Sequence, residues 1–220
     1  MIEIDKDFDD LGSGKMENSV FTFESRIYKD NRGEFTENWK LNGLPGRFST
    51  FDWVKQSNMS RSSKMVFRGM HSQLGGSAQG KMVTCLNGSI LDVIVDMRPN
   101  SATYKTMKAY LLGVWDRDSG SNKSLWVPRG FLHGFLSLED NTIFQYLCDN
   151  TYDKSSECGA NIMSLLNDNG VVNLSKVEME MVGLGASTMI MSEKDKSLPD
   201  IRDYEAIEKV FVHSTFKKEN

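Results

Sequence analysis

Residues 81–96 read KMVTCLNGSILDVIVD and contain the clearest structural signal in the chain. Two apolar, β-rich runs flank Asn87-Gly88, a dipeptide that favours the tight turn of a β-hairpin. In the second run Leu91, Val93 and Val95 share one face, whereas Asp92 and Asp96 lie on the other, as on a half-buried sheet. The stretch therefore predicts two consecutive antiparallel strands that are joined by a hairpin turn.

Short apolar segments separated by turn residues continue on both sides of this stretch, and long helical periodicity is almost absent. The segments predict further strands at Val20–Tyr28, Glu34–Trp39, Phe51–Ser60, Met107–Val114, Leu125–Val127, Gly134–Leu138 and Thr142–Cys148. Many short strands with turns between them are typical of a sandwich or barrel. We therefore expect an all-β jelly roll with a few short peripheral helices, whose functional residues point into its mouth.

The remaining segments are predicted to lie around this β domain. Residues 1–18 are polar and predict a loose lead-in, and residues 19–200 predict the domain itself. The turn Asp30–Gly33 separates the first two strands, and the polar, Gly- and Ser-rich segment Asp116–Ser124 predicts an exposed loop. Residues 201–220 predict a tail, in which Glu205–Val212 favours a short closing helix.

The composition is that of a single globular domain rather than of a nucleic-acid-binding or membrane protein. The chain has 220 residues, 39% of them hydrophobic and 25% charged, and a net charge of −4. Nucleic-acid binding would require a basic face, and a membrane span would require an apolar run of about 20 residues. The three cysteines have no metal-ligand spacing and are odd in number, which favours free thiols and a cytoplasmic location.

The residues with chemical potential concentrate in two glycine-flanked motifs. Arg68 and His71 lie in FRGMHSQ, Lys81 follows ten residues after the histidine, and His133 lies in GFLHGF. Together they supply an anion clamp, a base and a cationic electrophile. That set suits proton abstraction next to a carbonyl group on a charged substrate.

A longer series of motifs resembles one known family. The series covers roughly residues 20 to 200 and reads, in order, DNRGxFxE from Asp30, QxNxS from Gln56, FRGxHxQ from Phe67, GK at Gly80, DVxVDxRxxSxT from Asp92, PxGFxHGF from Pro128 and SEKD from Ser192. It is similar to the dTDP-4-dehydrorhamnose 3,5-epimerase family, the RmlC-type cupins.

The resemblance implies a cupin-type jelly roll, a double-stranded β-helix, that acts as a cofactor-independent epimerase. Its substrate would be a nucleoside-diphosphate 4-keto-6-deoxy sugar, inverted at carbon 3, carbon 5 or both, on the route to dTDP-L-rhamnose. The implied assembly is a homodimer in which an early strand is exchanged between subunits. Metal-binding cupins carry a His-x-His pair, but here the sequence is His71-Ser72-Gln73, so we expect no metal.

The resemblance also implies individual roles. His71 would be the base, Asp195 the carboxylate that orients it, Lys81 the cation at the enolate oxygen, and Tyr146 the acid on the opposite face. Among the implied substrate-binding residues, Arg32 and Arg68 would hold the diphosphate, and Gln56, Asn58 and Ser60 would bind the sugar hydroxyls. His133 would line the pocket, and Tyr152 would pack on the sugar or base. Phe35 and Glu37 would contact the nucleotide of the partner subunit across the dimer.

Each residue also has a purely structural interpretation when it is considered alone. His71 then reads as a barrel histidine with its bonds satisfied, and Lys81 as an exposed lysine at a strand start. Asp195 reads as a surface charge and Tyr146 as a core tyrosine. Arg32 and Arg68 read as members of surface ion pairs, and Phe35 and Glu37 as ordinary strand alternation.

Four segments depart from the family pattern, namely Leu74–Ala78, Asp116–Ser124, Asn161–Gly170 and Val171–Thr188. They bear on the sugar and base specificity more than on the reaction. The alternatives are a single-site epimerase or ketoisomerase that acts on another nucleotide sugar, a non-catalytic cupin that only binds one, and a metal-dependent isomerase or dioxygenase.

Overall fold

The strands of the chain form two antiparallel sheets that face each other. A computed structural model describes residues 2–8, 16–40, 44, 46–113, 120–166 and 189–200. Within these ranges the strands are β1 (Ile2–Ile4), β2 (Phe21–Asp30), β3 (Gly33–Thr36), β4 (Gln56–Ser62), β5 (Phe67–Gln73), β6 (Lys81–Asn87), β7 (Ser89–Asp96), β8 (Met107–Gly113), β9 (Ser121–Val127), β10 (Phe131–Ser137), β11 (Thr142–Cys148) and β12 (Glu157–Gly159).

The order of strands within each sheet interleaves distant parts of the chain. The first sheet runs β1-β2-β9-β6-β11-β4, and β3 pairs with β2 beside it. The second sheet runs β12-β5-β10-β7-β8. Two facing antiparallel sheets with this interleaving confirm the predicted all-β jelly roll.

Apolar side chains fill the space between the sheets and also cover their outer faces. The central core between the sheets includes Val83, Ile94, Phe131 and Phe144. A second core covers the outer face of the second sheet, and a third, rich in aromatic rings, covers the outer face of the first sheet. Because both faces of the inner strands are covered, those strands are buried on both sides.

The prediction of a hairpin at Asn87-Gly88 is wrong, although both strands are present as predicted. β6 pairs with β9 and β11 in the first sheet, whereas β7 pairs with β10 and β8 in the second sheet. Gly88 has the positive φ of +75° that the dipeptide favours, but its turn carries the chain across from one sheet to the other. All eight residues of β7 are buried, so the strand needs partners on both of its edges.

Three further expectations differ from the structure. Residues 2–8 are not loose, because β1 pairs with β2 and Phe8 is 1% exposed in the central core. Residues 121–124 belong to β9 rather than to an exposed loop, and Asn122 and Ser124 are buried. Phe51–Trp53 forms a 3-10 turn, so the extended segment begins only at Gln56.

Two short helices, α1 (Ile162–Leu166) and α2 (Glu193–Lys196), lie at the periphery. The 3-10 turns are Lys6–Phe8, Met16–Asn18, Gly46–Ser49, Phe51–Trp53, Gly75–Ser77 and Lys154–Ser156. The predicted helix at Glu205–Val212 lies outside the described residues. Among the described helices, none has the length and apolar character that a membrane crossing requires.

A β-bulge in β5 decides which side chains of that strand face the interior. His71 lies opposite His133 and Arg68 lies opposite Phe135, so three steps along β5 match two steps along β10. An odd spacing on a regular strand would send Arg68 and His71 to opposite faces, but the extra residue turns both of them inward.

Glycine is required at the bulge for two reasons. Gly69 has φ +124°, and a Cβ atom added there would lie 2.6 Å from Gly134 Cα. Gly134 is equally confined, because its added Cβ would lie 2.8 Å from the Arg68 carbonyl oxygen. The two strands therefore touch backbone to backbone at this point.

The substitution Gly69→Ala is expected to destabilise the fold by about 2 kcal/mol, because it adds both a steric clash and a strained φ. For a domain of this size that corresponds to a fall in Tm of about 4–8 °C, measurable by calorimetry. Gly76→Ala is the matched control, since nothing lies within 4 Å of its added Cβ. Equal Tm values for the two variants would contradict the role assigned to the bulge.

Candidate active site

His71 on β5 is held by a carboxylate from a distant part of the chain. Its Nε2 atom lies 2.7 Å from Oδ1 of Asp195, a side chain that is 6% exposed. Asp195 lies on α2, whose N-cap residue Ser192 accepts a hydrogen bond from the Asp195 amide at 3.1 Å. The structure thus brings together the two residues that were predicted to form a base and its orienting partner.

The electrostatics of His71 favour the neutral imidazole. Burial lowers its pKa below the ordinary value of 6.5, although the charge and hydrogen bond of Asp195 act in the opposite direction. With Nε2–H donated to Asp195, the Nδ1 lone pair is the one that can accept a proton. His71 is therefore suited to act as a base at neutral pH.

Lys81 begins β6 and lies opposite Cys148 of β11. It shares its face of the strand with Val83 and Cys85, which belong to the central core, so its side chain also projects between the sheets. Burial lowers the pKa of the Lys81 ammonium, whereas the Cys148 and Cys158 thiols and the Asp92 and Glu157 carboxylates oppose that shift. The location differs from that of an exposed lysine at a strand end.

Tyr146 lies on β11 in the first sheet, whereas His71 lies on β5 in the second. Its ring packs against the central core, 5.7 Å from the ring centroid of Phe144. Burial raises the pKa of the phenol above 10, with a smaller opposing effect of Arg68. Tyr146 is therefore protonated at neutral pH and faces the interior from the sheet opposite the base.

His133 lines the same interior and is hydrogen-bonded to the buried carboxylate of Asp92. The sequence pattern predicted that Asp92 would lie on the solvent-facing side of a half-buried strand. The Nε2 atom of His133 lies 3.0 Å and 2.9 Å from the two carboxylate oxygens of Asp92, which is 0% exposed. The half-buried interpretation of β7 is wrong, because Asp92 faces the interior between the sheets. Burial raises the pKa of Asp92, and His133 and Lys81 oppose that rise.

Three predicted substrate-binding residues lie at period two on β4, beside Tyr146. Gln56 Oε1 accepts a hydrogen bond from the Tyr152 amide at 2.8 Å, and its Nε2 donates to Asn58 Oδ1 at 2.9 Å. The Ser60 hydroxyl is buried and has no hydrogen-bond partner. An unpaired buried hydroxyl is costly, and a bound polar group would satisfy it.

Arg68 is exposed and donates from Nε to the Ser62 hydroxyl at 3.1 Å. Ser62 is the last residue of β4 in the first sheet, so this bond links the two sheets and places Arg68 at the edge of the interior between them.

The remaining predicted ligands, Arg32, Phe35 and Glu37, are not gathered with this group within one chain. They lie on or next to the β2–β3 hairpin, and β9 and β6 separate β2 from β11. Arg32 is exposed and paired with Asp30, and Glu37 is paired with Lys40. Phe35 is 65% exposed, and its ring lies 6.3 Å from that of Tyr28.

Glu157 is a site residue that the sequence did not indicate. One of its oxygens, Oε2, accepts hydrogen bonds from the Tyr152 hydroxyl and the Lys194 ammonium, while Oε1 lies 4.0 Å from His71 Nδ1. It lies on the three-residue strand β12, and no local sequence pattern predicts that this strand pairs with β5. Among the described residues, no three His, Cys, Asp or Glu side chains are grouped as a metal site would require.

Comparison with known proteins identifies relatives of this arrangement. The family model described as dTDP-4-dehydrorhamnose 3,5-epimerase matches residues 17–203. The dTDP-4-dehydrorhamnose 3,5-epimerase of Escherichia coli K12 is 42% identical over 141 residues, which cover 64% of this chain and 73% of that protein. The Streptomyces griseus enzyme of the same name is 34% identical over 182 residues, 83% of this chain and 82% of the relative.

Solved structures show the same likeness. The dTDP-4-dehydrorhamnose 3,5-epimerase of Elizabethkingia anophelis superposes with a TM-score of 0.67 at 32% identity, covering 92% of this chain and 97% of the other. The Legionella pneumophila dTDP-6-deoxy-D-glucose-3,5-epimerase, solved in complex with dTDP-4-keto-L-rhamnose, has a TM-score of 0.71 at 26% identity and covers 99% and 100% of the two chains.

The substitution Asp195→Asn is expected to lower the pKa of His71 further, because the native carboxylate raises it. With neutral His71 as the predicted base, the activity of the native protein is expected to fall as the pH drops through a His71 pKa that lies below 6.5. In the variant that acid limb moves to lower pH, and the maximal rate falls about 10- to 100-fold because the ring is no longer aligned by a charge. Both effects are measurable by NMR titration of His71 and by a pH–rate profile.

Glu193→Gln is the control for this prediction, since Glu193 lies on the same helix and its side chain is 90% exposed. A native His71 that titrates above 6.5, or an acid limb that stays in place in Asp195→Asn, would contradict the electrostatic assignment.

Proposed function

The chain belongs to the dTDP-4-dehydrorhamnose 3,5-epimerase family, and we propose that it inverts carbon 3, carbon 5 or both of a nucleoside-diphosphate 4-keto-6-deoxy sugar. The substrate that fits best is dTDP-4-dehydro-6-deoxy-glucose, which inversion at both centres converts to dTDP-4-dehydro-L-rhamnose. The reaction makes and breaks only carbon–hydrogen bonds next to a ketone.

One observation carries this proposal: a neutral, carboxylate-bound imidazole and a protonated phenol project inward from opposite sheets. His71 comes from the second sheet and Tyr146 from the first. Tyr146 pairs with Val83 of β6, and Lys81 lies two residues before Val83 on the same strand. Inversion needs a base on one side of the sugar ring and an acid on the other, because removal and return of a proton on one face would restore the starting centre.

The first step is proton abstraction by His71. The ketone at carbon 4 acidifies the hydrogens on its neighbours, and Nδ1 of the imidazole accepts one of them while Asp195 stabilises the resulting imidazolium. The electrons of the broken carbon–hydrogen bond move to the ketone oxygen and form an enolate. The Lys81 ammonium stabilises that oxygen more strongly as its charge develops, which accelerates the step.

The second step is proton return by Tyr146. The phenol donates its proton to the carbon from the other face, and the ketone re-forms as the enolate electrons return. The imidazolium loses its proton to solvent and the phenolate takes one up, so the enzyme returns to its starting state. No redox group or metal enters this balance, and we propose a cofactor-independent reaction.

The same arrangement accommodates the rest of the substrate. Arg68, at the edge of the interior, would bind the diphosphate with its guanidinium group. Gln56, Asn58 and the unpaired hydroxyl of Ser60 would meet sugar or base polar groups along β4. His133 would form part of the pocket wall, and Tyr152, which is 49% exposed, would pack on the sugar or base.

Arg32, Phe35 and Glu37 fit a role across a homodimer rather than within one chain. Their hairpin lies at the far side of the first sheet and presents Tyr28 and Phe35, two large exposed aromatic side chains. An exposed aromatic pair on a projecting hairpin is typical of an interaction surface. We propose that the hairpin contributes these three residues to the nucleotide site of the partner subunit.

The substitution His71→Asn is expected to slow exchange of solvent deuterium into the substrate by about 10²–10⁴-fold, because the base is gone. The exchange is measured position by position by NMR in heavy water, which also distinguishes inversion at carbon 3, at carbon 5 and at both. Binding of dTDP, measured by calorimetry, should stay near native. His213→Asn, at the third histidine of the chain, is the matched control.

Exchange at the native rate in His71→Asn would refute His71 as the base. If the native protein binds dTDP normally but exchanges no hydrogen in any 4-keto sugar nucleotide, the result would instead favour a non-catalytic binding protein.

The substitution Tyr146→Phe is expected to separate exchange from inversion. His71 and Lys81 can still form the enolate, so deuterium enters the substrate, but the opposite face has no acid and the ratio of inversion to exchange falls about tenfold or more. Tyr104→Phe, at a ring that packs on the outer face of the second sheet, should leave the ratio unchanged. An unchanged ratio in Tyr146→Phe would assign the acid to another group.

A further inference from the structure

A buried carboxylate lies at the strand end from which Lys81 projects, and the proposed reaction does not use it. Asp149 directly follows Cys148, the last residue of β11, and its side chain is 1% exposed. Cys148 and Lys81 form the last register pair between β11 and β6. Asp149 therefore stands where the ladder that carries Lys81 ends.

The Asp149 side chain replaces a main-chain acceptor in that ladder. The Asp149 amide donates to the Gly80 carbonyl at 3.1 Å, which extends the pairing by one bond. The Gly80 amide donates in return to Oδ1 of the Asp149 side chain at 2.7 Å. Gly80, the residue before Lys81, is thus bound at both its carbonyl and its amide by Asp149, the residue that follows β11.

Two arginines compensate the charge of this carboxylate. Arg129 Nε lies 2.9 Å and Arg47 Nη1 lies 3.3 Å from Oδ2, the oxygen that does not bind Gly80. A buried carboxylate persists only when it is paired in this way, and an ionised acceptor makes a stronger hydrogen bond than a neutral one. The two oxygens therefore have separate functions: one holds the Gly80 backbone and the other holds the arginines.

Gly80 is confined on its other side by an aromatic ring. A Cβ atom added at Gly80 would lie 2.4 Å from Cη2 of Trp126, which is itself 1% exposed. The backbone before Lys81 is therefore enclosed between the Asp149 carboxylate and the Trp126 indole. Lysine has a long, flexible side chain, so the position that its ammonium reaches depends on where its backbone is anchored.

We propose that Asp149 is a positioning residue for Lys81: by holding the Gly80 amide it keeps the ammonium at the place where the enolate oxygen forms. The inference rests on the role of Lys81 in the proposed function. A displacement of about 1 Å at a group that stabilises the transition state can cost up to about 10²-fold in rate.

Two substitutions at Asp149 separate this role from stability. Asp149→Asn keeps an oxygen for the Gly80 amide but puts an NH₂ group against the arginines, so Tm falls while the deuterium exchange rate stays within about threefold of native. Asp149→Leu has the same number and branching of side-chain heavy atoms but no acceptor, so exchange falls about tenfold or more while the affinity for dTDP stays within about twofold. Equal exchange rates in the two variants would reduce Asp149 to a stabilising residue and overturn the proposal.

A double-mutant cycle with Lys81→Met tests whether Asp149 acts through Lys81. If it does, Asp149→Leu causes no further loss of exchange, within about twofold, once Lys81 is absent. The same fractional loss in both backgrounds would show that Asp149 acts independently of Lys81 and would refute the proposal. Native exchange in Lys81→Met alone would instead refute the role of Lys81 in the proposed function, so the two failures are distinguishable.

Discussion

The contact between Gly69 and Gly134 is the constraint on which the interior arrangement depends. With no side chain on either residue, β5 and β10 approach closely enough for a bulge to replace one regular step. A regular strand has a period of two, and Arg68 and His71 would then face opposite sides. The bulge brings the guanidinium of Arg68 and the imidazole of His71 to the same side of one strand, and the phenol of Tyr146 faces them from the other sheet.

Burial favours the neutral forms of His71 and Tyr146 that the proposed reaction requires, whereas at Lys81 it acts against the ammonium and the Asp92 and Glu157 carboxylates oppose it. Desolvation always disfavours the charged form, so it lowers the pKa of His71 and Lys81 and raises that of Tyr146 and Asp92. One environment thus produces a neutral base and a neutral acid at the same pH. The carboxylate of Asp195 moderates the effect at His71, and the carboxylates of Asp195 and Asp92 fix the ring orientations of the two histidines that they contact.

The sequence predicts the strands better than it predicts their partners. Alternation and turn residues located β2, β6, β7, β8 and β11 closely, because those signals are local. The Asn87-Gly88 turn was misread as a hairpin because a positive φ is needed whether the chain folds back or crosses to another sheet. Pairing partners depend on which faces become buried, and that is a property of the whole chain.

The same distinction holds for the site. The sequence motifs indicated His71 and Lys81, and the family resemblance added Tyr146 and Asp195, whereas neither indicated the pairing of Asp92 with His133 or the position of Glu157. A carboxylate within an apolar strand looks like a solvent-facing residue until a buried partner is known, and the three-residue strand β12 carries no periodicity at all. Arg32, Phe35 and Glu37 were predictable only through the resemblance, because one chain by itself leaves them far from the base.

The bond between His71 and Asp195 joins residues that are 124 positions apart. During synthesis the imidazole leaves the ribosome long before its carboxylate, and α2 can dock only after the sheets beneath it have formed. Contacts of such long sequence separation close late, because chain entropy opposes them until the intervening structure exists. The proposed base and its carboxylate are therefore aligned only when contacts that span more than half of the chain are in place.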